Sequence, residues 1–139
     1  MKPKEIAGKF YEYIAKGDLH SLFDLLHDDI QWELFGPKII PYFGRYQGKD
    51  GVGEFFNVLF KHEEILEFVP SSYIEDKEIV AVLGREKCRA KSTGKEFSAE
   101  WVQVFRINQG KISSWCEYID TATLADAYQA ENTVDQAKN

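Results

Sequence analysis

Two glutamates, Glu86 and Glu117, lie in stretches where residue character alternates, and each keeps apolar company on its own face. Glu86 shares parity with Val80, Val82, Gly84, Cys88 and Ala90, whereas the opposite face of that stretch ends in Arg85, Lys87 and Arg89. Glu117 shares parity with Ser113, Trp115 and Ile119. A carboxyl enclosed by apolar side chains resists ionisation, and a second carboxyl nearby resists it further. Such a pair holds one protonated acid beside one base, which is the equipment of proton transfer. The competing reading of either glutamate is a hydrogen bond to a buried tyrosine or tryptophan, with a structural role only.

The other candidates face a ligand rather than react with it. Trp32 and Trp101 are suited to be walls on which a flat apolar molecule stacks, with their indole N–H groups orienting it. Trp115 reads as core. Tyr11 and Tyr46 offer phenol donors to a carbonyl, or are core tyrosines whose hydroxyls reach water. Ile14, Leu34, Cys88, Ala99 and Ile119 complete the expected lining. His20, His27 and His62 show no ligand spacing, so no metal site is expected. The sequence holds no phosphate loop, nucleophile elbow or Cys-x-x-Cys motif, and no cofactor is expected. Asp120 reads as an N-cap for the segment after it.

These side chains must be positioned by helices first and strands afterwards. Ile6, Phe10 and Ile14 mark a helix over 4–15, ended by Gly17, and Asp18 caps a second helix carrying Leu19, Leu22, Phe23 and Leu26. A short strand over 30–35 precedes a loop over 36–51 rich in proline and glycine, and Val52, Phe55, Phe56 and Leu59 mark a third helix. From residue 64 the period falls to two. The pattern predicts four strands near 65–75, 78–91, 96–108 and 111–120, with hairpin turns containing Gly94 and Gly110, and a short helix over 121–129. Short connections imply an antiparallel meander, and helices followed by hairpins imply an α+β fold with helices on one sheet face. The expected register sets Glu86 opposite Trp101 and Glu117 close to Trp101, forming one row on the concave face. Cys88 and Cys116 then fall on opposite faces and cannot bridge.

A chain of 139 residues fits one domain, taken as 1–129 with a polar tail over 130–139. Net charge is −6 with no basic run, which argues against binding nucleic acid or anionic membranes. No stretch reaches the roughly 20 apolar residues of a membrane span, and the N-terminal residues lack the apolar run of a signal peptide. Two cysteines do not make a disulfide framework, which points to the cytoplasm with both thiols reduced.

An ordered series of short motifs adds a family resemblance. It runs from Phe10-Tyr11 and Gly17-Asp18 through Asp28-Asp29-Ile30-Gln31-Trp32, Gly44-Arg45-Tyr46-Gln47-Gly48 and Val52-x-x-Phe55-Phe56 to Thr93-Gly94-Lys95. It closes with Glu100-Trp101-Val102-Gln103-Val104-Phe105, Gly110-Lys111-Ile112 and Trp115-Cys116-Glu117-Tyr118-Ile119-Asp120. To about residue 129 the chain resembles the SnoaL-like branch of the nuclear transport factor two superfamily, which includes ketosteroid isomerase and limonene epoxide hydrolase. The resemblance implies a cone-like α+β barrel with a pocket between sheet and first helices, and a homodimer joined through the sheet. It sets Glu117 and Glu86 where the epoxide hydrolases carry two aspartates, but Gly84 where they carry an arginine. It sets Leu34 where the isomerase carries its base, and Tyr11 near its oxyanion tyrosine.

Two functions remain open at this level. One is an acid–base enzyme of isomerase, cyclase or hydrolase type acting on a small, largely apolar molecule bearing a carbonyl, hydroxyl or epoxide. The other is a non-catalytic binding or dimerisation module. A third, with less support, is partner binding through the Arg85, Lys87, Arg89 face.

Overall fold

A computed structural model of the chain describes residues 1–130. Helix α1 (Pro3–Lys16) buries Ile6, Ala7, Phe10 and Tyr11 as one stripe. Gly17 ends it at φ 68°, a left-handed value that glycine reaches without steric cost. The Asp18 carboxylate then accepts from the Ser21 N–H at 3.1 Å and starts helix α2 (Leu19–Asp24). Strands β1 (Leu26–Leu34) and β2 (Gly44–Gln47) precede helix α3 (Gly48–His62). Strands β3 (Glu63–Asp76), β4 (Ile79–Ala90), β5 (Glu96–Asn108) and β6 (Lys111–Ile119) follow, and helix α4 (Thr121–Tyr128) closes the described residues. Asp120 caps α4 by accepting from the Thr123 N–H at 3.3 Å. The part of the expected tail beyond residue 130 lies outside the described residues.

The six strands form one curved, open sheet in the order β2-β1-β6-β5-β4-β3. β3 to β6 are the antiparallel meander that the short turns require. The sheet is not antiparallel throughout, because β1 lies parallel to β6, pairing Trp32 with Trp115 and Leu34 with Glu117. β1 also starts earlier than the alternation suggested, at Leu26, and an irregularity before Gln31 hides the early part of its period. Gly44–Gln47 lies within the expected loop but is an edge strand, pairing Tyr46 with Trp32. Three residues between the positive-φ glycines Gly44 and Gly48 are too few for a period to show.

The register of the central strands also departs from expectation. Glu86 lies opposite Ala99, and Trp101 lies opposite Gly84. On the other side, Trp101 faces Ile119 and Gln103 faces Glu117. The row is therefore shifted by two residues on each side. The reason is volume: a Cβ on Gly84 would overlap the six-membered ring of Trp101, so the indole needs a glycine for its cross-strand partner.

On the concave face, α1 and α3 cover the sheet and an aromatic core. Trp32 and Trp115 stack at 3.9 Å, and Phe55 packs on Trp32 at 5.2 Å. On the outer face, Arg85 pairs with Glu67, and Arg89 with Glu64 and Glu96. The cations expected to present a basic face are thus neutralised across strands. Among the described residues no helix is long and apolar enough to cross a membrane.

Replacing Gly84 with Ala forces the Trp101 ring out of its place. We expect a loss of about 1–3 kcal/mol, the usual cost of overpacking, measured as a lower urea midpoint. An unchanged midpoint would show that the ring moves freely.

Candidate functional site

Between α1, α3, β3 and the sheet lies a cavity of about 430 Å³. α1 contributes Phe10, Tyr11 and Ile14, and α3 contributes Phe55, Phe56 and Leu59. β1 adds Trp32 and Leu34, β3 adds Phe68, and β6 adds Trp115. Three buried carboxyls open into this largely apolar space, Glu63, Glu86 and Glu117, which are 3%, 8% and 6% exposed, and the exposed Glu67 also lines it.

Each carboxyl is held differently. Glu117 and Gln103 are direct cross-strand partners, so both point to the concave side. The Gln103 amide Nε2 donates to Glu117 Oε2 at 2.6 Å, and the Tyr11 hydroxyl donates to Gln103 Oε1 at 2.6 Å. Glu86 accepts from the Cys88 thiol at 3.3 Å, a weak donor. Glu63 begins β3 where α3 ends, and its Oε1 accepts from the Tyr42 and Tyr128 hydroxyls at 2.7 and 2.8 Å.

Burial governs the electrostatics. It pushes Glu86 well above the usual carboxylate range, and the charges of Glu117 and Glu63 push it further. Burial also raises Glu117, to about 7, against the opposing pull of the Gln103 N–H, with the Glu63 charge adding to the rise. Glu63 is raised by burial and drawn back by its two phenols and Cys88. Burial, with the neighbouring acids, keeps Cys88 a thiol and Tyr11 a neutral phenol.

Oxygen and sulfur atoms of Glu63, Glu86 and Cys88 come within 4.8 Å of one another. This grouping does not fit a metal well, because one Glu63 oxygen already accepts from two phenols and Cys88 stands as a thiol donating to Glu86. The three histidines take no part in it.

Of the residues singled out by sequence, Tyr11, Ile14, Trp32, Leu34, Glu86 and Glu117 come together around the cavity. Trp101 does not line it. Lying over Gly84, it stacks on Phe68 at 5.0 Å and on Tyr11 at 6.0 Å, behind the wall. Trp115, read as core, stands on the wall instead. Cys88 stands behind Glu86, and Ala99 and Ile119 are the cross-strand neighbours of Glu86 and Trp101, outside the cavity. Tyr46 is also outside, its hydroxyl donating to the Tyr42 carbonyl at 2.9 Å. The indole nitrogens of Trp32, Trp101 and Trp115 are buried and have no hydrogen-bond partner among the described residues, and they present no surface to a ligand.

Sequence reasoning missed Gln103, Glu63 and Tyr42. Gln103 had a usable signal, a polar residue in the apolar run Trp101, Gln103, Phe105, Ile107. Glu63 had none, since it falls at a helix–strand junction where neither period applies.

With this geometry in view, the comparisons with known proteins decide the family. The SnoaL-like domain family matches residues 7–115. The chain belongs to that family. Its SnoaL-like domain superimposes on an NTF2-like protein from Burkholderia xenovorans LB400 with TM-score 0.83 and 28% identity, covering 91% of this chain and 95% of the other. An NTF2-like protein from Burkholderia thailandensis E264 aligns with TM-score 0.85 and 23% identity, over 93% and 98% of the two chains. TerC, co-crystallised with polyporic acid, aligns with TM-score 0.82 and 18% identity, over 91% and 98%. No match is found among curated proteins.

The buried acids make the SnoaL-like domain sensitive to pH. All three carboxyls titrate higher in the folded chain than in the unfolded one. Their contribution to stability is complete below the ordinary value of 4.5 and is lost as pH rises through the folded values, about 7 for Glu117. We expect the urea midpoint to fall between about pH 5 and about pH 8, and Glu86→Gln to flatten that fall and exceed the wild type at the higher pH. An equally steep fall in the variant would show that Glu86 ionises without cost.

Proposed function

We propose that this SnoaL-like domain binds a small, largely apolar molecule in the cavity and moves a proton on it, with Glu117 and Glu86 as an acid–base pair. One observation carries the reading. Two carboxyls open to the same apolar cavity, and neither is saturated by structural donors. Glu63 is the contrast, because two phenols occupy it and tie it to the loop before β2 and to α4. An isomerase or cyclase type of reaction fits better than epoxide hydrolysis by the aspartate–arginine–aspartate route, since Gly84 stands at the arginine place beneath Trp101. The co-crystallisation of TerC with polyporic acid supports a small-molecule ligand for the fold.

The pair does not form the tight row that the sequence suggested. Glu86 faces Ala99 and Glu117 faces Gln103, four residues further along β5. Their charges still act on each other. A ligand between them would meet the base at one atom and the acid at another, as proton shifts on an enolisable carbonyl require.

Free Cys88 and Cys116 support a reducing compartment such as the cytoplasm. A homodimer through the outer sheet face is supported by the exposed Leu83, Tyr118 and Phe35, with Phe35 stacked on Tyr118 at 5.4 Å. Leu83→Lys with Tyr118→Lys should convert a dimer to a folded monomer by light scattering; an unchanged mass would place any dimer contact elsewhere.

The catalytic reading is tested by hydrogen exchange. In D2O the protein should speed exchange at carbons next to the carbonyl of small apolar ketones, followed by mass spectrometry. Glu117→Gln should lower the rate by about 10²-fold or more while remaining folded. Equal exchange in the variant would sink the role of Glu117 and favour a binding module.

A further inference from the structure

Acid–base chemistry requires the two glutamates to differ, and the hydrogen bonds around Gln103 supply the difference. Gln103 is 3% exposed on β5, and both ends of its amide make 2.6 Å hydrogen bonds. A side-chain amide has two orientations. In the one present, the NH2 faces Glu117, and a donor to a carboxylate favours the charged form. Turned over, the amide oxygen would face Glu117 and require it to be protonated.

Tyr11 selects between these orientations. Its ring is enclosed by Phe10 at 5.3 Å, Phe105 at 5.7 Å and Trp101 at 6.0 Å. Its hydroxyl donates to Gln103 Oε1, its acceptor among the described residues. If the amide turned over, the phenol would face an NH2 and its own proton would be buried without a partner. Tyr11 therefore holds the amide, and the amide favours charge on Glu117. Among the described residues Glu86 receives no comparable donor, only the Cys88 thiol at 3.3 Å. The other titratable groups facing the pair among the described residues are Glu63 of β3, Tyr42 of the loop before β2 and Tyr128 of α4, with Glu67 of β3 lining the same cavity and Tyr73 of β3 acting on Tyr11, none of them cationic. The Gln103 N–H is thus the group that sets the two acids apart.

We propose that Gln103, locked in one orientation by Tyr11, is the positioning residue that makes Glu117 the base and leaves Glu86 the proton donor. This rests on the acid–base reading above. In an enolisation, the Glu117 carboxylate takes the proton from carbon while the Glu86 carboxyl gives its proton to the carbonyl oxygen. On collapse of the enol, Glu117 returns a proton to carbon and Glu86 regains one from oxygen, so both acids are reset. Tyr11, its proton committed to Gln103, takes no part in binding the substrate oxygen.

The test is a ¹³C NMR titration of protein labelled at glutamate carboxyls, with signals assigned by Glu117→Gln and Glu86→Gln. In the wild type, Glu117 should ionise at lower pH than Glu86. Gln103→Leu should raise the Glu117 midpoint by about one pH unit, the equivalent of one charge-assisted hydrogen bond. Tyr11→Phe should raise it in the same direction by less. The proposal is overturned if Glu86 ionises first, or if the Glu117 midpoint stays in place in a folded variant. Should Gln103→Leu fail to fold, Tyr11→Phe, which removes a single oxygen, carries the test. A still midpoint together with lost exchange in Glu117→Gln would refute this assignment and leave the proposed function standing. Shifted midpoints with exchange intact in Glu117→Gln would overturn the proposed function and, with it, the part of Glu117 as the base.

Discussion

Trp101 lies across the sheet because the residue opposite it on the next strand has no side chain. That pairing with Gly84 locks β4 against β5. The indole then supports both Phe68 and Tyr11, whose rings also lie 6.0 Å from each other. Tyr11 in turn reaches Gln103, which is the cross-strand partner of Glu117. A slip of this register would take from Trp101 the space that lets it lie against Tyr11, and with it the packing behind the Tyr11–Gln103 bond, so the polar centre depends on an apolar contact behind it.

Around the cavity the dominant constraint is desolvation. Three carboxyls share one low-dielectric space, and each answers differently. Glu63 gathers two phenols and becomes a tie between β3, α4 and the loop before β2. Glu117 gathers one amide, and Glu86, with only a thiol among the described residues, is held well above the usual carboxylate range by burial and the neighbouring acids. Groups that differ this way despite identical chemistry are the raw material of acid–base function. The aromatic lining enforces the desolvation and shapes the space, with the stacked Trp32 and Trp115 as its floor.

The outer face follows a different economy. Its cations are paired with Glu64, Glu67 and Glu96 across strands, where exposed pairs contribute little to stability. Their effect is to leave that face without a strong field, with exposed Leu83 and Tyr118 among the charges.

Residue periodicity by itself determined the order of the helices and long strands, the α+β class and the facing of each long strand. It therefore put Glu86 and Glu117 on the concave side and Arg85, Lys87 and Arg89 on the other. Alternation has a period of two, so a shift of two residues leaves every face unchanged. Parity was thus blind to the difference between Trp101 and Ala99 as the partner of Glu86, and the bulk of Trp101 above Gly84 decided it. The pairing of β1 with β6 and the short edge strand Gly44–Gln47 depended on contacts distant in sequence. So did the burial of Glu63 between Tyr42 and Tyr128. A carboxyl's ionisation depends on what surrounds it in space, and only the tertiary structure could make two glutamates of like sequence context unequal.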